Sequence, residues 1–196
     1  MKVAFLIALS AVGIWYNWKA TRHWWAAQKR LWPAKSDVVG WAGVGFSGLW
    51  YFFVFVFFGI VATAGTTFVL AGTVTVESWL AGAAAGFIAC AVLMVNNIRD
   101  LAQDKLAGKR TLAVRLGDRP ARIAYAVLLL LPFVILVFFT LFYANAYLVY
   151  FALLAAVPAA GITLSAKTAP ELVLALRLTA LTALAYGLGL GWAIAF

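Results

Sequence analysis

The chain has 196 residues, 66% of them hydrophobic and only 11% charged, with a mean hydropathy of +1.01. Soluble domains run roughly 45–50% apolar and about 25% charged, so a water-soluble fold is excluded and the composition is that of an all-α integral membrane protein. The net charge of +9 reads as the Lys/Arg bias of cytoplasmic loops, not as a nucleic-acid surface.

A membrane helix needs about 20 mostly apolar residues. Val3–Trp18 is the first candidate and is slightly short. Lys2 followed by VAFLIALSAVGI has signal-peptide character, but WYNWKATRHWW offers no small-residue cleavage site, which favours a first span. The lone His23, among Trp24, Trp25 and basic residues, reads as a loop or interfacial side chain. Leu49–Gly72 is ample for a second span and includes WYFFVFVFFGIVATAGT. Trp79–Val95 is short but uniformly apolar; it holds Cys90, the single cysteine, which has no partner for an intramolecular disulfide and no zinc spacing.

Beyond the charged stretch that follows lie Ile123–Phe142 with Pro132, Ala146–Leu164 with Pro158, and Leu172–Phe196 with Arg177 near its start. Neighbouring helices accommodate such prolines in a membrane, and Arg177 is expected to snorkel to the interface. Lys19, Arg22, Lys29, Arg30 and Lys35 fall between the first and second spans, and Lys167 between the last two. Thr73–Ser78 and Tyr143–Asn145 carry no Lys or Arg. Every second loop is therefore basic, which predicts six spans with basic loops in the cytoplasm and both termini on the other side. No internal repeat or linker interrupts residues 1–196, so one helical domain is expected.

Between the third and fourth spans stands VNNIRDLAQDKLAGKRTLAVRLG, Val95 to Gly117. Asp100 and Asp104 are four apart, so on a helix their carboxylates share a face, with Asn96 one turn earlier. Like charges at that spacing repel, and a divalent cation turns the repulsion into binding. Mg²⁺ takes one or two carboxylates plus substrate phosphates. Arg99, Lys105, Lys109, Arg110 and Arg115 surround the pair; guanidinium forks match phosphate oxygens, and Lys supplies a mobile point charge. Gly108 and Gly117 permit tight turns that fold the basic residues back over the carboxylates. The pattern describes a site for a metal-bound diphosphate at the membrane surface; an ordinary topogenic loop remains the plainer alternative. Asp118, with Pro120 just after it, reads as a helix start.

The same residues resemble the second aspartate-rich motif of the UbiA superfamily of membrane prenyltransferases. The likeness is nearer to its MenA-type branch, the 1,4-dihydroxy-2-naphthoate polyprenyltransferases of menaquinone biosynthesis. Asn96, Asn97, Arg99, Asp100, Asp104, Gly108, Lys109, Thr111, Leu112, Val114, Arg115 and Gly117 match that pattern. FVFVFFGIVATAGT before the motif and PELVLALRLTALTALAYGL near the end are also similar to that branch.

The resemblance implies a nine-helix bundle, of which this chain matches the C-terminal part, and Mg²⁺-dependent transfer of a polyprenyl group from its diphosphate to an aromatic ring. It implies metal-side, catalytic roles for Asp100 and Asp104, and diphosphate-side or ordering roles for Asn96, Asn97, Arg99, Lys109 and Arg115. Polyprenyl diphosphate, dihydroxynaphthoate and the lipid bilayer are then the partners, with the motif loop on the cytoplasmic side of a bacterial plasma membrane. The Tyr51–Phe58 aromatics are expected to face lipid or packing neighbours, with an isoprenoid tunnel wall as the alternative for some of them.

The family's first motif, of N-D-x-x-D type, has no counterpart, since Asp37, Glu77, Asp118 and Glu171 stand alone. The branch's short basic loop is replaced by KATRHWWAAQKRLWPAKSDVVGWAGVGFSG. These departures imply that half the metal site is missing and that the 196-residue chain alone is inactive. Another UbiA-type aromatic prenyltransferase, acting on 4-hydroxybenzoate, haem or chlorophyllide, and a non-catalytic isoprenoid-binding membrane protein stand as alternatives.

Overall fold

The computed structural model describes residues 49–196; the expected first span Val3–Trp18 and the loop with His23, Lys29, Arg30 and Asp37 lie outside them. The helices in chain order are α1 (Leu49–Ala71), α2 (Val76–Arg99), α3 (Leu101–Leu106), α4 (Leu112–Leu116), α5 (Asp118–Phe142), α6 (Ala146–Ser165) and α7 (Ala169–Ala195). Among the described residues there is no strand. Five of the helices, α1, α2, α5, α6 and α7, are long and apolar enough to cross a membrane. They correspond to the last five expected spans.

α2 is the centre of the bundle and packs against α1, α5 and α7. Its small residues let α1 approach closely. A Cβ added at Gly59 of α1 would strike the Gly82 carbonyl oxygen and stand 2.6 Å from the Gly86 Cα, and one at Gly86 would lie 2.7 Å from the Phe55 ring. Gly82 and Gly86 form the small-xxx-small pattern by which membrane helices bring their backbones together, and Phe55 packs on Phe87 with ring centroids 4.9 Å apart. The middle of α1, Phe55–Gly65, is wound as a π-helix. Gly72, in the left-handed conformation at φ 74°, ends α1.

α2 also buries Ala84, Ile88, Ala91, Met94, Val95 and Ile98. α5 contributes Ala121, Tyr125, Leu129, Phe133 and Leu136, spaced by three or four residues, to the same core. Pro132 lies inside α5, and carbonyls at this point are tied to other helices. The Tyr186 hydroxyl of α7 donates to the Pro132 carbonyl at 2.8 Å, and Tyr150 of α6 donates to the Phe133 carbonyl at 3.2 Å. Tyr125 and Thr179 share a buried 2.6 Å hydrogen bond between α5 and α7. α6 starts as a 3₁₀ turn, Ala146–Ala152, before continuing as α-helix. Glu171 closes the start of α7 by accepting from the Lys167 amide and the Thr168 hydroxyl.

α2 and α7 each begin three residues before their apolar runs, at Val76 and Ala169, and two other boundaries extend further. α2 continues past Val95 through Asn96, Asn97 and Arg99, so the first part of the charged stretch is helix. α5 begins at Asp118, five residues before the apolar run, and Asp118 pairs with Arg122 one turn on at 2.9 Å. In both places polar side chains leave the apolar layer while the backbone continues its ladder of hydrogen bonds.

Candidate functional site

The charged stretch folds into the end of α2, the short helices α3 and α4, and the turns between them. Asp100 is the hinge, with φ −91° and ψ 4°. The helical bonding pattern nevertheless runs through it: the Asp100 amide donates to the Asn96 carbonyl at 3.0 Å, and the Asp104 amide to the Asp100 carbonyl at 2.8 Å. The one-turn spacing of the two carboxylates therefore survives the break between α2 and α3.

The carboxylates stand in different surroundings. Asp100 is half-exposed and accepts from Nε and Nη2 of Arg99, both at 2.8 Å, in a bidentate fork. That hydrogen bonding holds its carboxyl below the usual carboxylate range, with the charges of Arg99 and Lys109 acting in the same direction against a smaller opposing effect of burial. Asp104 is buried, only 6% exposed, and its partner is Lys109, whose Nζ lies 3.3 Å from Oδ1. A buried carboxylate needs such a counter-charge.

The turn at Gly108 delivers that lysine. Gly108 has φ 69°, in the region that favours glycine, and the Lys109 amide donates back to the Asp104 carbonyl at 2.9 Å. Thr111 caps α4 by accepting from the Val114 amide. Gly117, at φ 85°, turns the chain into α5. Arg115 sits exposed on α4, Lys105 is exposed on α3, and Arg110 is exposed on the segment between them.

Asn96 and Asn97 occupy the last turn of α2 and are half-buried. The Asn97 Nδ2 donates to the Tyr51 hydroxyl of α1 at 2.9 Å. Tyr51 belongs to the aromatic run expected to face lipid, packing neighbours or a tunnel wall, and it packs against α2 beside the site. Its signal is that it carries the only hydroxyl in the aromatic run Trp50–Phe58.

A cavity of about 860 Å³ lies between α1, α2 and α7. α2 lines it with Ser78, Ala81, Ala85, Ala89 and Val92, opposite Phe58 of α1 and Tyr186, Leu190 and Ile194 of α7. These α2 residues are spaced by three or four, and the next two positions on that face are Asn96 and Asp100. The cavity is mostly apolar, with Thr75, Glu77 and Ser78 at its far end, and it reaches Val92, one helical turn before Asn96.

Among the described residues no three His, Cys, Asp or Glu side chains converge. The donor set is two carboxylates with cations beside them. That set is too small to enclose a metal by itself, but it fits an oxygen-seeking dication completed by phosphate oxygens and water.

The model of the UbiA prenyltransferase family matches residues 46–172, which include every residue of this site. A 1,4-dihydroxy-2-naphthoate octaprenyltransferase of Mycobacterium tuberculosis is 39% identical over 154 residues, covering 78% of this chain and 52% of that protein. Proteins of the same name from Escherichia coli and Haemophilus influenzae are 42% identical over 98 residues and 41% identical over 91, or 32% and 30% of their lengths. The chain therefore spans about half the length of the mycobacterial relative and about a third of the other two. No solved structure matches the chain at a significant level.

Proposed function

Because the chain belongs to the UbiA prenyltransferase family, we propose that it serves the transfer of a polyprenyl group from polyprenyl diphosphate to 1,4-dihydroxy-2-naphthoate. The relatives are named for octaprenyl transfer to 1,4-dihydroxy-2-naphthoate, and with loss of CO₂ such a transfer yields the quinol form of demethylmenaquinone in menaquinone biosynthesis. The observation that carries the reading is the α2 face that lines a mostly apolar cavity as far as Val92 and continues at helical spacing to Asn96 and Asp100. An apolar tail ending in a diphosphate has the same polarity along its length.

In this reading Asp100 and Asp104 are the metal-side, catalytic carboxylates. Arg99, Lys109 and Arg115 are the cations for the diphosphate, and Asn96 and Asn97 complete the polar lining. The pairs Arg99–Asp100 and Lys109–Asp104 are the resting arrangement: each cation sits where it can turn from carboxylate to phosphate when the substrate arrives. Bound Mg²⁺ supplies charge neutralisation on the diphosphate, which makes it a better leaving group. The bond between the prenyl C1 and the diphosphate oxygen breaks with its electrons going to oxygen. The electron-rich ring attacks C1, and the ring carboxylate leaves as CO₂. Arg99, Lys109 and Arg115 stabilise the charge that develops on the departing diphosphate.

The loops at 72–75 and 143–145 carry no Lys or Arg, while the site loop and Lys167 are basic. The positive-inside rule then favours a bacterial plasma membrane protein with its site on the cytoplasmic side. The test is Mg²⁺-dependent binding of geranylgeranyl diphosphate by the chain in lipid nanodiscs, followed by prenylation of dihydroxynaphthoate by the complete gene product. Asp100→Ala and Asp104→Ala are expected to abolish both. Unchanged binding and turnover in either variant refutes the assignment.

A further inference from the structure

We propose that Tyr51 is a positioning residue for the site, holding the Asn97 amide so that its carbonyl oxygen joins Asp100 and Asp104 as a third oxygen donor toward the metal-bound diphosphate. The inference rests on the function proposed above. It starts from the direction of two contacts. The Tyr51 O–H lies 3.5 Å from the Met94 sulfur, an acceptor with no proton to give. With its proton turned there, the phenol oxygen is left to accept, and Asn97 meets it with Nδ2 at 2.9 Å. An amide whose nitrogen is committed to α1 carries its oxygen on the other side of a flat group. Among the described residues that oxygen meets no donor.

Spacing puts the oxygen in useful company. Asn97, Asp100 and Asp104 follow one another at three and four residues along a hydrogen-bonding pattern that the Asp100 hinge leaves intact, so they share a face. Mg²⁺ is a hard cation that takes carbonyl as well as carboxylate oxygens. Two carboxylates alone leave much of its coordination to phosphate and water. Tyr51 is itself well anchored: it is half-buried at the start of α1, and its carbonyl accepts from the Cys90 thiol at 3.4 Å. α1 thereby touches the site through one hydroxyl.

The experiment is binding of geranylgeranyl diphosphate to the full chain in nanodiscs, read as the Mg²⁺ concentration giving half-maximal binding. Tyr51→Phe removes only the hydroxyl and is expected to raise that concentration roughly three- to tenfold, the scale of one hydrogen bond. The discriminating variant is Asn97→Asp, because a carboxylate presents oxygen whichever way it turns. It should lower the Mg²⁺ requirement by a larger factor in the Tyr51→Phe background than in the unaltered chain, a non-additivity that a double-mutant cycle reads directly. Wild-type Mg²⁺ dependence in Tyr51→Phe, or independent effects of the two substitutions, overturns the inference while loss of binding in Asp104→Ala keeps the proposed function intact. Unchanged binding in Asp104→Ala overturns both.

Discussion

Asp104→Asn separates a residue kept for its chemistry from one kept for the fold. The carboxylate is 9% exposed and its lysine partner 60% exposed, at 3.3 Å. At that separation the Coulomb attraction is about 1.3 kcal/mol with the dielectric of water and about 5 kcal/mol at an effective dielectric of 20. The exposure of Lys109 places the pair toward the lower value. Against this stands a desolvation cost of several kcal/mol for a carboxylate removed from water. The cost is the larger of the two, so an isosteric neutral amide should leave stability unchanged or raise it by up to about 2 kcal/mol. The loss of a metal-side charge should in contrast weaken Mg²⁺-dependent geranylgeranyl diphosphate binding by roughly 100-fold or more, since hydrogen bonds and contacts to charged groups are worth about 1.5–3 kcal/mol each. Thermal unfolding in detergent and binding in nanodiscs are the paired assays. A variant destabilised by more than ~3 kcal/mol shows Asp104 to be a structural ion-pair partner, and one that binds like the parent shows the site to be elsewhere; either result refutes the reasoning.

The seam between α1 and α2 predicts that Gly59→Ala destabilises the bundle by about 1–3 kcal/mol, because the new methyl meets backbone that cannot move aside. Gly65→Ala, whose nearest neighbour is a Val61 methyl at 3.9 Å, should be nearly neutral, and equal melting temperatures for the two would contradict the close approach. Tyr186→Phe removes the bond to the Pro132 carbonyl and should cost about 0.5–1.5 kcal/mol of stability; chemical denaturation measures it. For pH, Asp100 has its folded pKa lowered by the Arg99 fork. Its contribution is therefore fully present above the ordinary carboxylate pKa and is lost only as pH falls through the lower folded value. Diphosphate binding should accordingly be flat from about pH 8 to 5, and Arg99→Gln should move the acidic limb of the profile upward. Binding that already fails at pH 6 through protonation of this carboxyl would contradict the fork.

Much of this molecule is legible from hydropathy, because in a membrane the length of an apolar run and the length of a helix are set by the same bilayer. That is why α1 and α6 fall within one residue of the expected runs and α5 ends with its run at Phe142. The misjudged boundaries are those where a helix leaves the apolar layer and hydropathy loses its information, at Asn96–Arg99 and Asp118–Arg122. The close approach of α1 and α2 was in principle readable from Gly82 and Gly86, but a small-xxx-small pattern does not name its partner, and Gly59 has to be found in three dimensions. The site divides similarly. The spacing of Asp100 and Asp104 and the turn at Gly108 follow from local sequence. The contact of Tyr51 with Asn97 spans 46 residues, and no local rule pairs them.

Two readings of the basic loop compete, and burial weighs between them. A topogenic loop needs Lys and Arg near the ends of its spans, and acidic residues contribute little to that role. It has no use for a carboxylate taken out of water, since burying one costs energy that an exposed aspartate avoids. Asp104 is nevertheless among the few buried polar residues of the described region, and its fellows there are hydroxyl side chains, Ser78, Thr163, Thr179 and Thr182. The glycine turn that brings Lys109 back to it is a specific backbone device, not a consequence of charge count. Arg99 holds the second carboxylate one turn away with both arms of its fork. Such an arrangement has no use as a topology signal and suits the proposed site, in which each acid is paired with a cation that an incoming diphosphate could claim. The α2 face that lines the cavity as far as Val92 continues at helical spacing to Asn96 and Asp100, and topogenesis offers no reason for that alignment.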